Sequence, residues 1–378
     1  MSLAARQPDT AAADASSAAS RGEEFRDDLR TSAVVATRAG AGNAAARRIL
    51  GADELAPLTQ LDDLRSLASV SQTLVLIAAG IAGGIVLWPS PWVVLPMLLI
   101  GVQQHALFVL AHEAAHYRLF GARVVNDAVG RLIGMASGLS TCTYRVIHRL
   151  HHNNLYTEDD PDIALHGGYP RGVAYLWKKL AQDLAGLNAW KTFAYFFGAP
   201  AINDATRRAP RPLDDTSPAL RASARRDRWG VVAFQVALPL SCLALSGWQG
   251  LAMYVVLWTL PLLTVLQPIL RLRAVCEHGA VRDLSSPMTA ARTNRTRGGL
   301  ANVVGRAVLF PHHVNYHVEH HLYPAVPHYH LARLHSLLAA KGALDGAEVR
   351  DLPDTLRLVF APRAAAPRPL SAGHPGTP

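Results

Sequence analysis

The reading turns on residues 66–112, SLASVSQTLVLIAAGIAGGIVLWPSPWVVLPMLLIGVQQHALFVLAH, a run that contains no Asp, Glu, Lys or Arg. A second uncharged run extends from Trp229 to Leu270. A bilayer-crossing helix needs roughly 20 apolar residues at about 1.5 Å rise each. Each run is therefore too long for one such helix and long enough for two. Each also carries a break near its middle, Trp88-Pro-Ser-Pro-Trp92 in the first and Ser246-Gly-Trp-Gln-Gly250 in the second. Trp, Pro and Gly suit tight turns at a lipid interface. The expected fold is an all-α membrane protein with four transmembrane helices as two hairpins, spanning about 68–88, 92–115, 229–247 and 250–271.

Composition agrees. Only 17% of the 378 residues are charged, against about 25% in an average soluble domain. The net charge of +9 suits an anionic membrane surface; no nucleic-acid motif accompanies it, so no nucleic-acid partner is expected. Cys142, Cys242 and Cys276 form no CxxC pair, which argues against a disulfide scaffold, a thiolate zinc site or a fused iron–sulfur module. Hairpins return the chain to the side it left. Arg207, Arg208, Arg211, Arg221, Arg225, Arg226 and Arg228 precede the third expected span, and Arg271 and Arg273 follow the fourth. The positive-inside rule puts these connections in the cytosol of a protein of the inner (cytoplasmic) membrane. Asn126–Leu139 and Leu184–Phe197 read as interfacial helices. Residues 1–60 read as a flexible cytosolic tail without a signal peptide, 61–345 as the membrane domain, and 346–378 as a largely disordered tail.

Three histidine clusters emerge on that cytosolic side. His112 and His116, at i and i+4, share one helix face. His148, His151 and His152 give i, i+3 and i+4, and His317, His320 and His321 repeat the pattern. Neutral imidazole is the commonest protein ligand for transition metals, and eight of them exceed the four that a closed structural zinc requires. A cytosolic helical cap carrying a His-rich metal site follows.

HEAAH also matches the zinc-protease pattern HExxH, with Glu113 as base, but that reading leaves two clusters unexplained. His105 reads as a satisfied or pocket-lining group. His312 and His313 read as neighbours of the third cluster or as surface groups, and His328, His330 and His335 as surface or structural groups. Asp159, Asp160 and Asp162 are candidates to orient box histidines through the outer ring nitrogen, against a plain solvated loop. Asn315 is a candidate water-mediated neighbour, and His374-Pro-Gly reads as coincidence.

The order HEAAH, HRLHH and HVEHH, with HRLHHNNLYTEDDPD at 148–162 and NYHVEHHLYPAVPHYHLARLH at 315–335, resembles the membrane fatty-acid desaturase and hydroxylase superfamily over roughly residues 65–345. The resemblance implies a di-iron centre of two Fe2+ ions held by His112, His116, His148, His151, His152, His317, His320 and His321. It adds His278, in RLRAVCEHG, as a ninth ligand. It also implies O2 as co-substrate, an acyl-lipid substrate taken from the membrane, and an external donor of the ferredoxin type. The implied activity is desaturation of an acyl chain. The alternative is a lipid or carotenoid hydroxylase or ketolase; from another class, a metal-binding membrane sensor or transporter, which should carry ligands at mid-membrane.

Overall fold

The computed structural model describes residues 49–362 apart from 158, 201–212, 214, 215, 282 and 285. The expected first 48 residues of the N-terminal tail, the stretch after 362 and His374 lie outside the described residues.

A short helix, α1 (Ala52–Thr59), precedes α2 (Asp63–Leu87). Asp62 caps α2, its carboxylate accepting the Leu64 and Arg65 backbone N–H groups that have no partner inside the helix. The second half of the first uncharged run forms α3 (Val94–Ala115) after a single 3-10 turn, Pro91–Val93. The two helices differ in surroundings. α2 leaves Leu67, Leu74, Val75, Ile81, Ile85 and Val86 exposed, a surface suited to lipid. α3 is buried on all sides from Gln103 to Ala115, so its apolar residues show no preferred face. Leu107, Leu110, Ala111 and Ala114 of α3 pack with Leu119, Ile133, Ile147 and Leu266 in the largest core.

Among the described residues, three segments are long and apolar enough to cross a membrane: Asp63–Leu87, Pro91–Ala115 and Pro218–His278. The third is 61 residues long. It begins as α8 (Pro218–Tyr254), passes a π turn at Val255–Thr259, and ends as α9 (Leu266–His278). As one straight helix it would measure roughly 90 Å, about three times a bilayer core. It is not straight. Gly247 has φ 62° and ψ −156°, which an L side chain resists, and the chain folds back there. Tyr254 Oη lies 3.4 Å from Gln235 Oε1, a pair that a continuous helix would hold about 28 Å apart.

Between these segments lie α4 (Arg123–Ser137), α5 (Thr141–Asn153), α6 (Val173–Leu184) and α7 (Ala189–Phe196). Residues 184–197 are not one helix as expected. Gly186, at φ 75°, breaks them, and the stretch before the break belongs to α6. After α9 come β1 (Thr293–Arg295), α10 (Leu300–Leu309), α11 (His317–Leu322), α12 (Leu331–Ala340), β2 (Val349–Asp351) and α13 (Leu352–Val359).

Two expectations are corrected. The described chain is not all-α, because β1 and β2 pair in parallel, Thr293 with Val349 through Arg295 with Asp351. Regular structure also extends beyond 61–345. Leu50 and Leu58 are buried against Val318, Leu322 and Leu338, and α13 buries Leu352 and Val359. Residues 49–60 and 346–359 read as tails because each is short, with apolar residues that mean little until the long-range partners are known.

The β pair is locked by Arg292, which is fully buried. Its Nε donates to Glu348 Oε2 at 3.2 Å, and its terminal nitrogens donate to the carbonyls of Cys276, Gly279 and Ala280. Removing Arg292 leaves Glu348 still paired with Arg350, 2.9 Å away, but takes a donor from the Gly279 and Ala280 carbonyls, and a buried acceptor left unsatisfied costs about 1–3 kcal/mol. Arg292→Met is therefore expected to lower the thermal unfolding midpoint in detergent by several degrees; an unchanged midpoint would contradict the lock.

Candidate metal centre

Helix periodicity decides which imidazoles meet. His112 lies in the last turn of α3 and His116 caps it, one turn on. His148, His151 and His152 occupy the last turns of α5, and His317, His320 and His321 fill the short α11. His278 is the last residue of α9. Eight of the nine come from separate clusters and one from the end of the third apolar segment, yet their rings converge.

They form two groups. In the first, His112 Nε2 lies 2.9 Å from His320 Nε2, which lies 3.0 Å from His152 Nε2, itself 3.0 Å from His148 Nε2. His116 joins it, its ligating atom within 4.8 Å of those of His112, His148 and His320. In the second, His151 Nε2 is 3.3 Å from His278 Nε2, His278 is 2.8 Å from His317 Nε2, and His317 is 3.2 Å from His321 Nε2. The groups adjoin: the His152 and His321 rings stack with centroids 4.2 Å apart.

These contacts are not ordinary hydrogen bonds. Each Nε2 carries either one proton or one lone pair, so four such atoms make at most two N–H···N bonds. Each group contains three contacts. The distances instead match the edge of a coordination shell, since two ligands about 2 Å from one ion at right angles stand about 2.9 Å apart. His116 Nε2 is buried with no hydrogen-bond partner, as a ligand nitrogen is before its ion is counted. The outer nitrogens point the same way. His278 Nδ1–H donates to the Ala290 carbonyl at 3.1 Å and His151 Nδ1–H to Asp160 Oδ1 at 2.9 Å. Both therefore keep the Nε2 lone pair free to bind a cation. The residues fit a metal pair.

Burial, reinforced in most cases by neighbouring imidazoles, holds His148, His152, His317, His320 and His321 well below the usual histidine range, leaving them in the neutral ligating form. His151 departs from this. Burial opposes its charge, but Asp160 and Asp162 outweigh it and push it up to about 9. Carboxylates that favour a proton on one nitrogen also favour a metal cation on the other.

The remaining candidates separate clearly. Asp160 is buried and also accepts the Tyr156 and Asp162 backbone N–H groups; Asp162 accepts from Tyr195; Asp159 is exposed. Glu113 accepts the His328 backbone N–H at 2.9 Å, so it braces the loop after the third cluster. His335 Nδ1–H donates to Glu319, and Thr293 Oγ1–H donates to the same carboxylate. His328 and His335 are buried structural groups rather than surface ones. His105 Nδ1–H donates to the Val308 carbonyl at 2.9 Å, while its buried Nε2 has no hydrogen-bond partner, so the ring is half satisfied. His312 meets Thr73 Oγ1 at 3.0 Å, and His313 lies beside Arg306. Asn315 donates to the Asn294 carbonyl and leaves its Oδ1 unpartnered.

Sequence reasoning missed His166. It is 1% exposed, lies 3.8 Å from Asp160 Oδ2, and faces the His278 ring at 4.8 Å. It stands alone in the sequence, with no second histidine at helical spacing to draw attention to it.

A family model described as fatty acid desaturase matches residues 16–353. Dihydrorhizobitoxine desaturase of Bradyrhizobium elkanii is 30% identical over 251 residues, which is 62% of this chain and 64% of that protein. An endoplasmic reticulum omega-6 fatty acid desaturase of Glycine max is 26% identical over 261 residues, 65% and 64% of the two chains. A beta-carotene ketolase of Paracoccus is 27% identical over 227 residues, 60% and 72%. The match spans just under two thirds of the length of the first two relatives.

Proposed function

Because the chain belongs to the fatty acid desaturase family, we propose that it is a membrane di-iron oxidoreductase that introduces a double bond into an acyl chain. The convergence of nine imidazoles into two adjacent groups carries this reading. His112, His116, His148, His152 and His320 hold one iron, and His151, His278, His317 and His321 the other. An all-imidazole donor set suits Fe2+ among other transition metals.

The overall conversion balances as –CH2–CH2– + O2 + 2 e− + 2 H+ → –CH=CH– + 2 H2O. The iron pair, when bound, supplies the activation of O2 that breaks an unactivated C–H bond. The protein's part is placement. α5 and α11 fix the ligand atoms, Asp160 and the Ala290 carbonyl fix two ring orientations, and a cavity beside the histidines admits the reacting carbon. The electrons come from an external donor, for which a ferredoxin is our choice. The fold-back at Gly247 and the short Pro91–Val93 turn support two hairpins and four spans, with the histidines at the cytosolic face of the inner membrane. The sensor or transporter reading is disfavoured, since His105, the histidine deepest in a span, belongs to none of the metal-capable groups among the described residues.

The ketolase relative favours one second reading, oxygen insertion on a lipid or carotenoid after the same C–H cleavage. One experiment separates the two: mass spectrometry of lipids from cells expressing the chain, with iron measured on the purified protein. New double bonds and about two irons per chain are expected. Only hydroxylated or keto products would establish the second reading, and a single zinc would end both.

A further inference from the structure

The cavity beside the histidines, of about 190 Å3, joins apolar surface to a set of polar and charged side chains that a plain hydrocarbon does not use. His112, His148, His278 and His317 border it at the metal end. Much of the remaining wall is polar or charged. Binding sites for apolar ligands are lined mainly by hydrophobic and aromatic side chains, and typical ligand pockets are larger, about 300–1,000 Å3.

Three Lys and Arg groups lie on the wall, and two of them are ion-paired. Arg271 is ion-paired with Asp183, and Arg273 Nε lies 2.8 Å from Glu277 Oε1. Lys191 has no carboxylate partner among the described residues; its Nζ lies 5.7 Å from the Trp190 ring centroid. Its helix is fixed against the wall, because Thr192 Oγ1–H donates to Gln267 Oε1 at 2.6 Å and Tyr195 to Asp162. Nearer the metals, His166 is buried on the same cavity, and neither ring nitrogen has a hydrogen-bond partner. Buried polar atoms left unpaired, as the His166 nitrogens are, are costly, and a hydrocarbon occupant satisfies neither them nor the half-buried Lys191 ammonium.

We propose that the cavity binds a substrate through an anionic group, carboxylate or phosphate, held by Lys191, with a polar atom of the same molecule meeting His166. The attacked C–H bonds then lie close to a polar head group rather than far along a bare chain. This rests on the desaturase reading and names its substrate class.

The test uses the purified, iron-loaded protein in nanodiscs with ferredoxin, ferredoxin reductase and NADPH. Three probes are compared: a free fatty acid, the same acyl chain on phosphatidylglycerol, and its neutral methyl ester. The wild type is expected to favour one of the two anionic probes over the ester by about 10-fold or more in kcat/KM, and which one identifies the head group. Lys191→Ala should collapse that ratio towards one, and Lys191→Arg should restore it. A ratio near one in the wild type, or one unmoved in Lys191→Ala, overturns the subsite while leaving desaturation intact. Product from none of the three probes overturns both the subsite and the desaturase reading on which it rests. His166→Leu should lower kcat/KM on the preferred probe at wild-type iron content; a loss of iron would assign His166 to the metal and overturn its contact with substrate.

Discussion

His320→Ala is expected to reduce product formation to below about 1% of the wild type while the protein still inserts into the membrane. The size follows from position. His320 Nε2 is within 3.0 Å of both His112 Nε2 and His152 Nε2, so it links ligands from α3 and α5. Groups that merely orient a metal ligand cost 10- to 100-fold when removed, so loss of a ligand at the junction costs at least the upper end of that range. The apolar core is untouched: Val318 and Leu322, on the same short helix, keep their packing against Leu334 and Leu338. Iron per chain should fall from about two towards one, because the group of His151, His278, His317 and His321 keeps its contacts. Retained turnover at wild-type iron content would remove His320 from the ligand set.

What is legible in the sequence reflects the range of the forces involved. The uncharged runs were legible because the cost of a charge in lipid acts residue by residue, whatever the rest of the chain does. Two of the three apolar segments, Asp63–Leu87 and Pro91–Ala115, fall within a few residues of expectation. The boxes were legible because i, i+3 and i+4 spacing is local geometry, carried by α3, α5 and α11. His278 has no such partner, and only the likeness to a family brought it in. The parallel pairing of Thr293–Arg295 with Val349–Asp351 joins three-residue strands far apart in sequence, too short for any alternation to register. The helix Val173–Leu184 is amphipathic, with Leu176 and Leu180 inside and Trp177 outside, and a search for apolar runs passes over it. The carboxylates were half legible. Asp159, Asp160 and Asp162 stood as equals in sequence, and only the turn after α5 decides that Asp160 points inward.

That turn makes Asp160→Asn the second large effect. Asp160 Oδ1 accepts from His151 Nδ1 and Oδ2 from the Tyr156 backbone N–H, so its carboxylate ties the ring to its own loop. Asparagine keeps the volume but offers one acceptor oxygen in place of two and removes a buried negative charge. Two consequences follow for His151, the one box histidine whose surroundings favour a cation. One oxygen cannot serve both His151 Nδ1–H and the Tyr156 backbone N–H, so selection of the tautomer with a free Nε2 weakens, and the pull of the Asp160 charge on a cation at that ring disappears, leaving Asp162, 3.7 Å away, as the nearest carboxylate. A metal affinity lower by about 10- to 100-fold is expected at the second group, read as iron lost to a graded chelator, with the first group's iron retained. Asp159→Asn, on an exposed residue of the same acidic stretch, is the control and should leave chelator resistance unchanged. Equal chelator curves for Asp160→Asn and the wild type would show that the carboxylate merely closes the loop, and would detach His151's orientation from the strength of the metal site.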